Sequence, residues 1–511
     1  MSPFLFLLAA CTGQDTDDTP PPTRDPRFDS VAAQLQADLA ADDAPAVSIA
    51  IYEGGEVVWA EAFGTTTPNG DVPATADTLF QLGSTTKMFT AVAMLQGVDA
   101  GEYGLDDDLT TLLPGLAAHP DDLALWQGVT PHLLASQQTG LADYVEWGGD
   151  PSVTLSTLAL DDYPAARPFM NPPGRFWNYS NPNFSYAGLV RQLADGRDYV
   201  DIMHDDVFDA LGMPRTTMER DAVRADGDYA LGTGFVIGRG GQPVEADAQD
   251  LADVPHSAFS SPAGSNTWTT PTELMRMADF LLHGDDAVLS DALRTEITAA
   301  HAPLLSTPDD SAYGYGVFVR PGLPLESGYH PTPVWEHGGN TLQYTCDFYI
   351  LPELDYAVAI LSSGYATAFD ASLQAALALA PGLPEPVDPP TFTVDTARFA
   401  DHVGRYEGPP NIGELIIEEQ DGGLVWTLPS LDAVDYPYQA ELQTVSSTLF
   451  IGTIDGAGYD ITFVGEPGSP SGFIRNRNFV GVRYEPSTLT RRESDHRVGI
   501  RPVLLGPAPL R

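Results

Sequence analysis

A serine and a lysine three residues apart offer the clearest chemistry in the chain. Ser84 and Lys87 belong to Leu82-Gly83-Ser84-Thr85-Thr86-Lys87, and apolar residues at helical spacing follow them (Met88, Phe89, Val92 and Leu95). This spacing predicts a buried helix that begins near Ser84 and places Ser84 and Lys87 on one face. Burial and the positive end of the helix dipole both disfavour an ammonium. We therefore expect a lowered Lys87 pKa and an amine that can accept the Ser84 proton.

Lys87 is also the only lysine among the 511 residues, and arginine supplies the other 23 of the 24 basic side chains. Because arginine stays protonated in proteins, it provides charge but cannot act as a base. The one lysine therefore favours a catalytic amine. The alternative is a surface residue on an amphipathic helix, because S-x-x-K alone is a short and common pattern.

The composition narrows the classes of partner. The formal net charge is −47, which repels nucleic acid and anionic membrane surfaces, so we expect neither as a partner. Hydrophobic residues make up 43% of the chain, enough for sizeable cores in two or more domains. The histidines show no metal-ligand spacing, so we predict no metal and no cofactor.

The N-terminus predicts an export signal. An apolar run leads to Leu8-Ala9-Ala10-Cys11, which resembles the lipobox of bacterial lipoproteins. We predict a signal peptide over 1–11, lipidation of Cys11, a disordered tether over 12–27, and a location in the bacterial cell envelope facing the periplasm or exterior. No Lys or Arg precedes the apolar run, so a chance cysteine is the alternative. The second cysteine, Cys346, is predicted to be a core residue, which leaves no disulfide framework.

The order of elements predicts an α/β (α+β) domain over 28–380. Two apolar runs, 46–52 and 57–63, flank Glu53-Gly54-Gly55-Glu56 and indicate a hairpin. Further strands and helices are predicted, with a helical insert between the two halves of one antiparallel sheet. The predicted strands are 312–319, 333–336, 343–351 and 356–361, and the predicted helices are 30–41, 84–101, 131–136, 186–193, 271–282 and 368–379.

A second domain is predicted beyond a linker. Five prolines fall between residues 381 and 390, which marks 381–391 as the linker. Short strands divided by Gly, Asp and Asn then predict a small all-β barrel or sandwich over 392–485. Residues 486–511 read as a disordered tail.

Two further motifs complete a pattern with the serine and lysine. Tyr179-Ser180-Asn181 falls in the predicted insert, and His337-Gly338-Gly339 closes a predicted strand. In this order and at these separations, the three motifs resemble those of the serine β-lactamase-like hydrolases. That superfamily includes class C β-lactamases, D-alanyl-D-alanine carboxypeptidases, D-aminopeptidases and certain esterases. The resemblance covers about 28–380 and extends to Gln81-Leu82-Gly83, Leu105-Asp106, Leu211-Gly212-Met213 and Pro262-Ala263-Gly264.

The resemblance implies roles for the first two motifs. Ser84 is similar to the nucleophile and Lys87 to its proton acceptor. Tyr179 resembles the tyrosine that passes the proton to the leaving group and activates water for deacylation, as a phenolate or through a hydrogen bond to Lys87. A cationic Lys87 would favour the phenolate, so we expect the pair to titrate jointly. Asn181 resembles the asparagine that binds the acyl side chain and orients Lys87.

The third motif corresponds to the K-T-G strand of the penicillin-binding proteins, here in an H-x-G form. His337 and Gly339 are then substrate-binding positions, and the backbone N–H groups of Ser84 and Asn340 form an oxyanion hole. The chain departs from the family at Gln137-Gln138-Thr139-Gly140-Leu141, where relatives commonly carry H-T-S-G-L, so the wall of the site is altered.

The substrate class follows from charge. A His337 near its unperturbed pKa is mostly neutral at pH 7, and an acidic protein repels carboxylates. We therefore predict a serine hydrolase that forms an acyl-enzyme on Ser84 and cleaves small esters or amides, of the esterase or D-amino-acid peptidase type. A β-lactamase or D-alanyl-D-alanine carboxypeptidase is the alternative, and a catalytically retired penicillin-binding-like surface protein is an alternative of another class. The barrel is either a specificity lid or a passive spacer.

Overall fold

The computed structural model describes most of the chain between Arg24 and residue 485. The described ranges are 24–42, 44–145, 153–237, 243–365, 369–409 and 412–485. The predicted signal peptide, Cys11 and the tail 486–511 lie outside them. The last residues of the predicted tether are described: Arg24 pairs with Glu61 at 2.7 Å, and a 3₁₀ turn, Pro26–Phe28, leads into the first helix. No helix of the described residues is both long and apolar enough to cross a membrane.

One antiparallel sheet of eight strands organises the larger domain. In spatial order the strands are Glu56–Gly64, Ala46–Glu53, Tyr356–Ser362, Thr345–Leu351, Val334–Asn340, Phe318–Arg320, Ala312–Tyr313 and Ala302–Pro303. The predicted hairpin is confirmed, with Glu53 opposite Glu56 across the turn. The two ends of the domain meet in this sheet, because residues 47–53 of the strand Ala46–Glu53 pair with Tyr356–Ser362.

Helices cover both faces of the sheet. The strand Ala46–Glu53 is buried on both faces: Val47 packs with the helices Asp29–Asp42 and Asp370–Leu377, and Ala50 belongs to the larger core on the opposite face. Short strand pairs also occur outside the sheet (Phe80–Gln81 with Trp268–Thr269, Leu323–Leu325 with Gly328–His330, and Thr233–Ile237 with Pro243–Asp247). The other helices of the domain include Thr86–Asp99, Leu109–Leu112, Leu123–Trp126, Pro131–Ala135, Asn181–Asp195, Tyr199–Ile202, Arg220–Asp226, Pro271–His283 and Asp291–Ile297.

Three predicted elements differ in detail. The predicted strand 312–319 is two strands, because a turn at Gly314 with a backbone hydrogen bond to Val317 of 2.8 Å folds it back. The predicted helix 186–193 begins earlier, at Asn181, because a proline in the first helical turn removes only an N–H that has no intrahelical partner. The segment Thr270-Pro271-Thr272-Glu273 also predicts a cap at Thr270 with the Glu273 carboxylate reaching back to it. Thr270 does cap the helix Pro271–His283, but the Glu273 carboxylate accepts hydrogen bonds from Arg215 and Thr216 instead.

The predicted β domain is a closed barrel of eight strands. They are Gly404–Glu407, Glu414–Gln420, Gly423–Thr427, Glu441–Thr444, Leu449–Ile454, Ala457–Val464, Phe473–Asn476 and Phe479–Tyr484. The sequence pattern predicts five of these strands, at 415–418, 424–428, 448–451, 459–464 and 479–484. The three strands that it misses have only four residues each. The hairpin made by the last two strands, with Arg477 in its turn, is named the Arg477 hairpin below.

Candidate active site

Ser84 and Lys87 meet at the start of a buried helix. Ser84 lies in a 3₁₀ turn, Gly83–Thr85, that continues directly into the helix Thr86–Asp99. The Lys87 side-chain nitrogen, Nζ, lies 3.0 Å from the Ser84 hydroxyl. Every residue from Thr86 to Leu95 is buried, and Lys87 is 0% exposed. The alternative of a surface lysine on an amphipathic helix is therefore wrong.

Lys87 Nζ has three oxygen neighbours, which suit either protonation state of the amine. Nζ donates to the side-chain carbonyl of Asn181 and to the backbone carbonyl of Ala263, both at 2.7 Å. A neutral amine has two N–H groups and one lone pair, so these two carbonyls leave the lone pair for the Ser84 O–H. Burial lowers the pKa of Lys87 well below its usual value, against an opposing effect of Asp143. The amine is thus positioned to accept the Ser84 proton.

Tyr179 also stays uncharged. Burial raises the pKa of its phenol well above the usual value, and a hydrogen bond with Ser84 and the nearby Arg477 only partly oppose this. Lys87 Nζ lies 5.0 Å from the centre of the Tyr179 ring. Of the two forms that the resemblance allows, burial therefore favours the neutral phenol over the phenolate, and the joint titration of the pair stays a prediction.

Asn181 connects Lys87 to a carboxylate that sequence reasoning missed. Asn181 is the first residue of the helix Asn181–Asp195, and its backbone N–H and side-chain amide both donate to Asp143, at 2.8 and 2.9 Å. Asp143 in turn accepts two hydrogen bonds from Arg477 of the barrel, at 2.7 and 3.0 Å. Asp143 stands two residues after the altered family motif, and nothing in the local sequence indicates its partners.

His337 lies on the strand Val334–Asn340 but is not a cation. Its side chain is buried, with Nδ1 2.6 Å from the Gly338 carbonyl and Nε2 3.2 Å from the Tyr313 hydroxyl. A neutral ring satisfies both contacts when Nδ1–H donates to the carbonyl and Nε2 accepts from the phenol. Burial, aided by the proximity of Lys87, lowers the pKa of His337 to about 3. The expectation of an unperturbed pKa is wrong, although a neutral imidazole at pH 7 is what the structure shows.

The end of the His337 strand lies directly against the Ser84 turn. Gly83 has a φ of +63°, and a Cβ there would lie 2.6 Å from the Asn340 nitrogen. A Cβ on Gly339 would lie 1.9 Å from the Leu82 carbonyl oxygen. Only glycine fits such close backbone contacts. They bring together the two residues, Ser84 and Asn340, whose N–H groups the sequence predicts as the oxyanion hole.

The altered family motif makes hydrogen bonds to the segment that contains Tyr179. Gln137 is fully buried, and its side-chain carbonyl accepts from the Ser180 N–H at 2.9 Å and from the Asn183 amide at 2.5 Å. Its backbone carbonyl accepts from the Asn178 N–H at 2.9 Å. Gln137 therefore positions the residues on both sides of Tyr179.

The Arg477 hairpin forms one side of the site. The Arg477 guanidinium lies 4.5 Å from the centre of the Tyr179 ring, and Arg475 lies 4.9 Å from that of Trp177. The Asn178 amide donates to the backbone of the same hairpin, and Phe176 packs on Phe473. A purely passive spacer would not supply these contacts.

One group of possible metal ligands converges among the residues that the structure describes. His204, Asp205 and Asp209 are all exposed, and their ligand atoms lie within 4.8 Å of one another. Exposed acidic groups often lie this close without an ion, and the group takes no part in the site around Ser84.

Comparison with known proteins agrees with this geometry. The sequence profile of the Beta-lactamase family matches residues 29–381, so the chain belongs to that family. It is a member of the serine β-lactamase-like hydrolase superfamily, with a mixed α/β domain and a C-terminal β-barrel.

Individual relatives share 29% or less of their aligned residues with this chain. Penicillin-binding protein 4 of Amycolatopsis lactamdurans is 29% identical over 271 residues, which is 51% of this chain and 65% of that protein. The chain spans less than two thirds of the length of the curated relatives it matches. Among solved structures, SurE with D-Leu has a TM-score of 0.62 at 22% identity, over 90% of this chain and 99% of that one. The D-amino acid amidase of Ochrobactrum anthropi SV3, complexed with L-phenylalanine, has a TM-score of 0.56 at 20% identity. The match covers 68% of this chain and 97% of the amidase chain.

Proposed function

We propose that the protein is a serine hydrolase that forms an acyl-enzyme on Ser84, with Lys87 as the base. The observation that carries the proposal is the set of contacts around Lys87. Two carbonyls occupy its N–H groups, and its third neighbour is the Ser84 hydroxyl at 3.0 Å. A buried neutral amine at this position activates an alcohol as a nucleophile.

The reaction then follows from the positions of the groups. The Ser84 proton moves to Lys87 as the Ser84 oxygen attacks the substrate carbonyl, and the N–H groups of Ser84 and Asn340 receive the developing negative charge. Tyr179, a neutral phenol beside Ser84, donates its proton to the leaving group and recovers one from Lys87. Water then hydrolyses the acyl-enzyme, and its proton returns by the same groups. Asn181 keeps Lys87 in place throughout.

We propose small esters or D-amino acid amides as substrates. His337, which stands where the K-T-G enzymes carry a lysine, is neutral, and the protein's net charge of −47 disfavours anionic substrates. The D-amino acid amidase and the SurE structure with D-Leu share the fold and support the D-amino acid class. A β-lactamase or D-alanyl-D-alanine carboxypeptidase is the second candidate, favoured by the likeness to Penicillin-binding protein 4.

The test is covalent labelling followed by turnover. Wild-type protein incubated with a fluorophosphonate should gain mass on Ser84, whereas Ser84→Ala should gain none and Lys87→Met should react at least about 10²-fold more slowly. A panel of aryl esters, D-amino acid amides and cephalosporins then separates the substrate classes. Lack of labelling at any pH by this reagent and by a fluorescent penicillin would overturn the proposal and favour a retired binding protein.

The predicted cell-envelope location remains part of the proposal. Lipidation of Cys11 would anchor the enzyme to a membrane through the lipid chain only. Cys11 lies outside the described residues. Globomycin-sensitive processing with a shift in mass at Cys11 would support the anchor, and an unmodified Cys11 in the mature protein would contradict it.

A further inference from the structure

The barrel contributes a charged residue to a site that lies otherwise in the hydrolase domain. Arg477 reaches out of the hairpin turn and makes both of its hydrogen bonds to the Asp143 carboxylate. The Asp143 side chain is 7% exposed and that of Arg477 is 29% exposed. Removing one partner from a pair this buried leaves the other charge uncompensated in a poorly solvated place.

Two hydrogen bonds through Asn181 connect Asp143 to the catalytic lysine. The Asn181 amide donates to Asp143 at 2.9 Å, and the carbonyl of the same side chain accepts from Lys87 at 2.7 Å. A negative charge at Asp143 favours protonation of Lys87, and the Arg477 cation disfavours it. The two residues therefore act on the amine in opposite directions, through one bridging asparagine.

We propose that Arg477 is a positioning residue for the Ser84–Lys87 pair: by binding Asp143 it fixes Asn181 and offsets the negative charge closest to the amine. The inference rests on the proposed function, because it assigns Lys87 the role of base. It makes docking of the barrel a condition for an active hydrolase domain, rather than only a limit on which substrates enter.

The surroundings of Lys87 allow this effect to be isolated. Among the described residues, the titratable or charged groups that act on the amine are Tyr179, His337, Asp143 and Arg477. Burial keeps Tyr179 and His337 neutral near pH 7. In the described part of the chain, Asp143 and Arg477 are then the two charged residues near the amine, and substituting one or the other should shift the Lys87 pKa in opposite directions.

The single lysine of the chain makes a direct measurement possible. Full-length protein labelled with [¹³C]lysine should show one lysine side-chain signal, and its shift against pH reports the Lys87 pKa without any enzyme assay. Arg477→Ala should raise that pKa by about 1 pH unit, Asp143→Asn should lower it, and the double variant should return it towards wild type.

The controls separate charge from damage to the fold. Arg405→Ala removes another barrel arginine from its carboxylate partner, Glu414, at the exposed surface, and should leave the Lys87 pKa unchanged. If Arg477→Ala does not fold, Asp143→Asn and the double variant still test the sign. An unchanged Lys87 pKa in Arg477→Ala, a rise that persists in the double variant, or no fall in Asp143→Asn would overturn the inference.

A rate measurement links the inference to catalysis. The acid limb of the fluorophosphonate reaction should move to higher pH in Arg477→Ala, so that one pH unit below the new midpoint the variant is labelled about 5-fold more slowly than wild type, with little change on the alkaline side. A loss of barrel packing alone would slow the reaction equally at all pH values and would overturn it. Absence of labelling in the wild type would refute the proposed function instead, while the lysine signal still decides the role of Arg477.

Discussion

At the scale of single residues, the site is built from groups that burial has made neutral. Lys87, Tyr179 and His337 are all buried, and in each case loss of solvation moves the pKa towards the uncharged form. In the proposed mechanism, a neutral amine and a neutral phenol next to Ser84 pass a proton from the nucleophile to the leaving group and back. No charge has to be created in the resting site before substrate arrives.

Replacing Lys87 with arginine tests whether charge or basicity matters at this position. Lys87→Arg keeps a cation but cannot release its proton, so we expect kcat/KM for an aryl ester to fall by about 10² to 10⁴-fold at every pH from 6 to 9. Methionine is closer than arginine to lysine in volume and has no charge, and kcat/KM of Lys87→Met should fall by a similar factor. Thermal unfolding of both variants checks that the fold persists. Retention of activity in Lys87→Arg alone would show that the position needs only a positive charge.

His337 predicts a loss of stability in acid. Its pKa is about 3 in the folded chain and near 6.5 when unfolded, so the unfolded state binds more protons between these values. The contribution of the neutral ring is complete above about pH 6.5 and is lost as pH falls towards 3, by about 5 kcal/mol in all.

The test compares the wild type with His337→Gln, whose side chain does not titrate. Between pH 7 and pH 4, urea unfolding of the wild type should lose more free energy than that of His337→Gln, because only the wild type takes up the extra proton on unfolding. If the two lose the same amount, the ring is not held neutral by burial.

At the scale of elements, the site exists because one strand and one turn touch through glycine backbones. The strand Val334–Asn340 runs against the turn Gly83–Thr85, and Thr85 fixes the contact by donating to the His337 carbonyl at 3.0 Å. The buried Cys346, on the neighbouring strand as predicted, lies 3.4 Å from the same hydroxyl. The sheet thus holds the strand edge in position beside Ser84.

A methyl group at Gly339 should separate the strand from the turn. In Gly339→Ala the new Cβ would overlap the Leu82 carbonyl, so the Asn340 N–H should move away from Ser84. We expect kcat/KM to fall by about 10² to 10³-fold, the loss measured when one oxyanion donor is removed. Gly338→Ala is the matched control, because its Cβ would meet nothing closer than 3.7 Å. Equal effects of the two substitutions would argue against a role for the Asn340 N–H.

Local sequence patterns predict the helices and strands well, but they do not predict contacts between residues far apart in the sequence. The S-x-x-K spacing, the Glu53-Gly54-Gly55-Glu56 turn and the proline-rich linker each depend on residues close in sequence, and the structure has the corresponding helix start and hairpin. The pairing of Asp143 with Arg477 joins residues 334 positions apart and leaves no periodic signal. The pKa of Tyr179 could not be predicted either, because it depends on burial by segments that come together only in the fold.

At the scale of the whole molecule, two domains share one site within a strongly acidic protein. The hydrolase domain supplies Ser84, Lys87 and Tyr179, and the barrel supplies Arg477, which lies over the Tyr179 ring. The cations next to the site, Arg475 and Arg477, are already paired with Asp460 and Asp143. An approaching substrate therefore meets the negative field of the chain rather than an unpaired cation of this hairpin.

This field predicts how salt should act on substrates of different charge. With a net charge of −47, the protein should attract a cationic ester and repel an anionic one, and salt should weaken both effects as the screening length falls from about 30 Å at 0.01 M to about 3 Å at 1 M. Three aryl esters with the same leaving group and a cationic, neutral or anionic acyl chain isolate the effect. Between these salt concentrations, kcat/KM should fall at least several-fold for the cationic ester, rise for the anionic ester and change little for the neutral one. The same salt dependence for all three would mean that access to Ser84 is governed by the walls of the site and the barrel, and not by the charge of the whole chain.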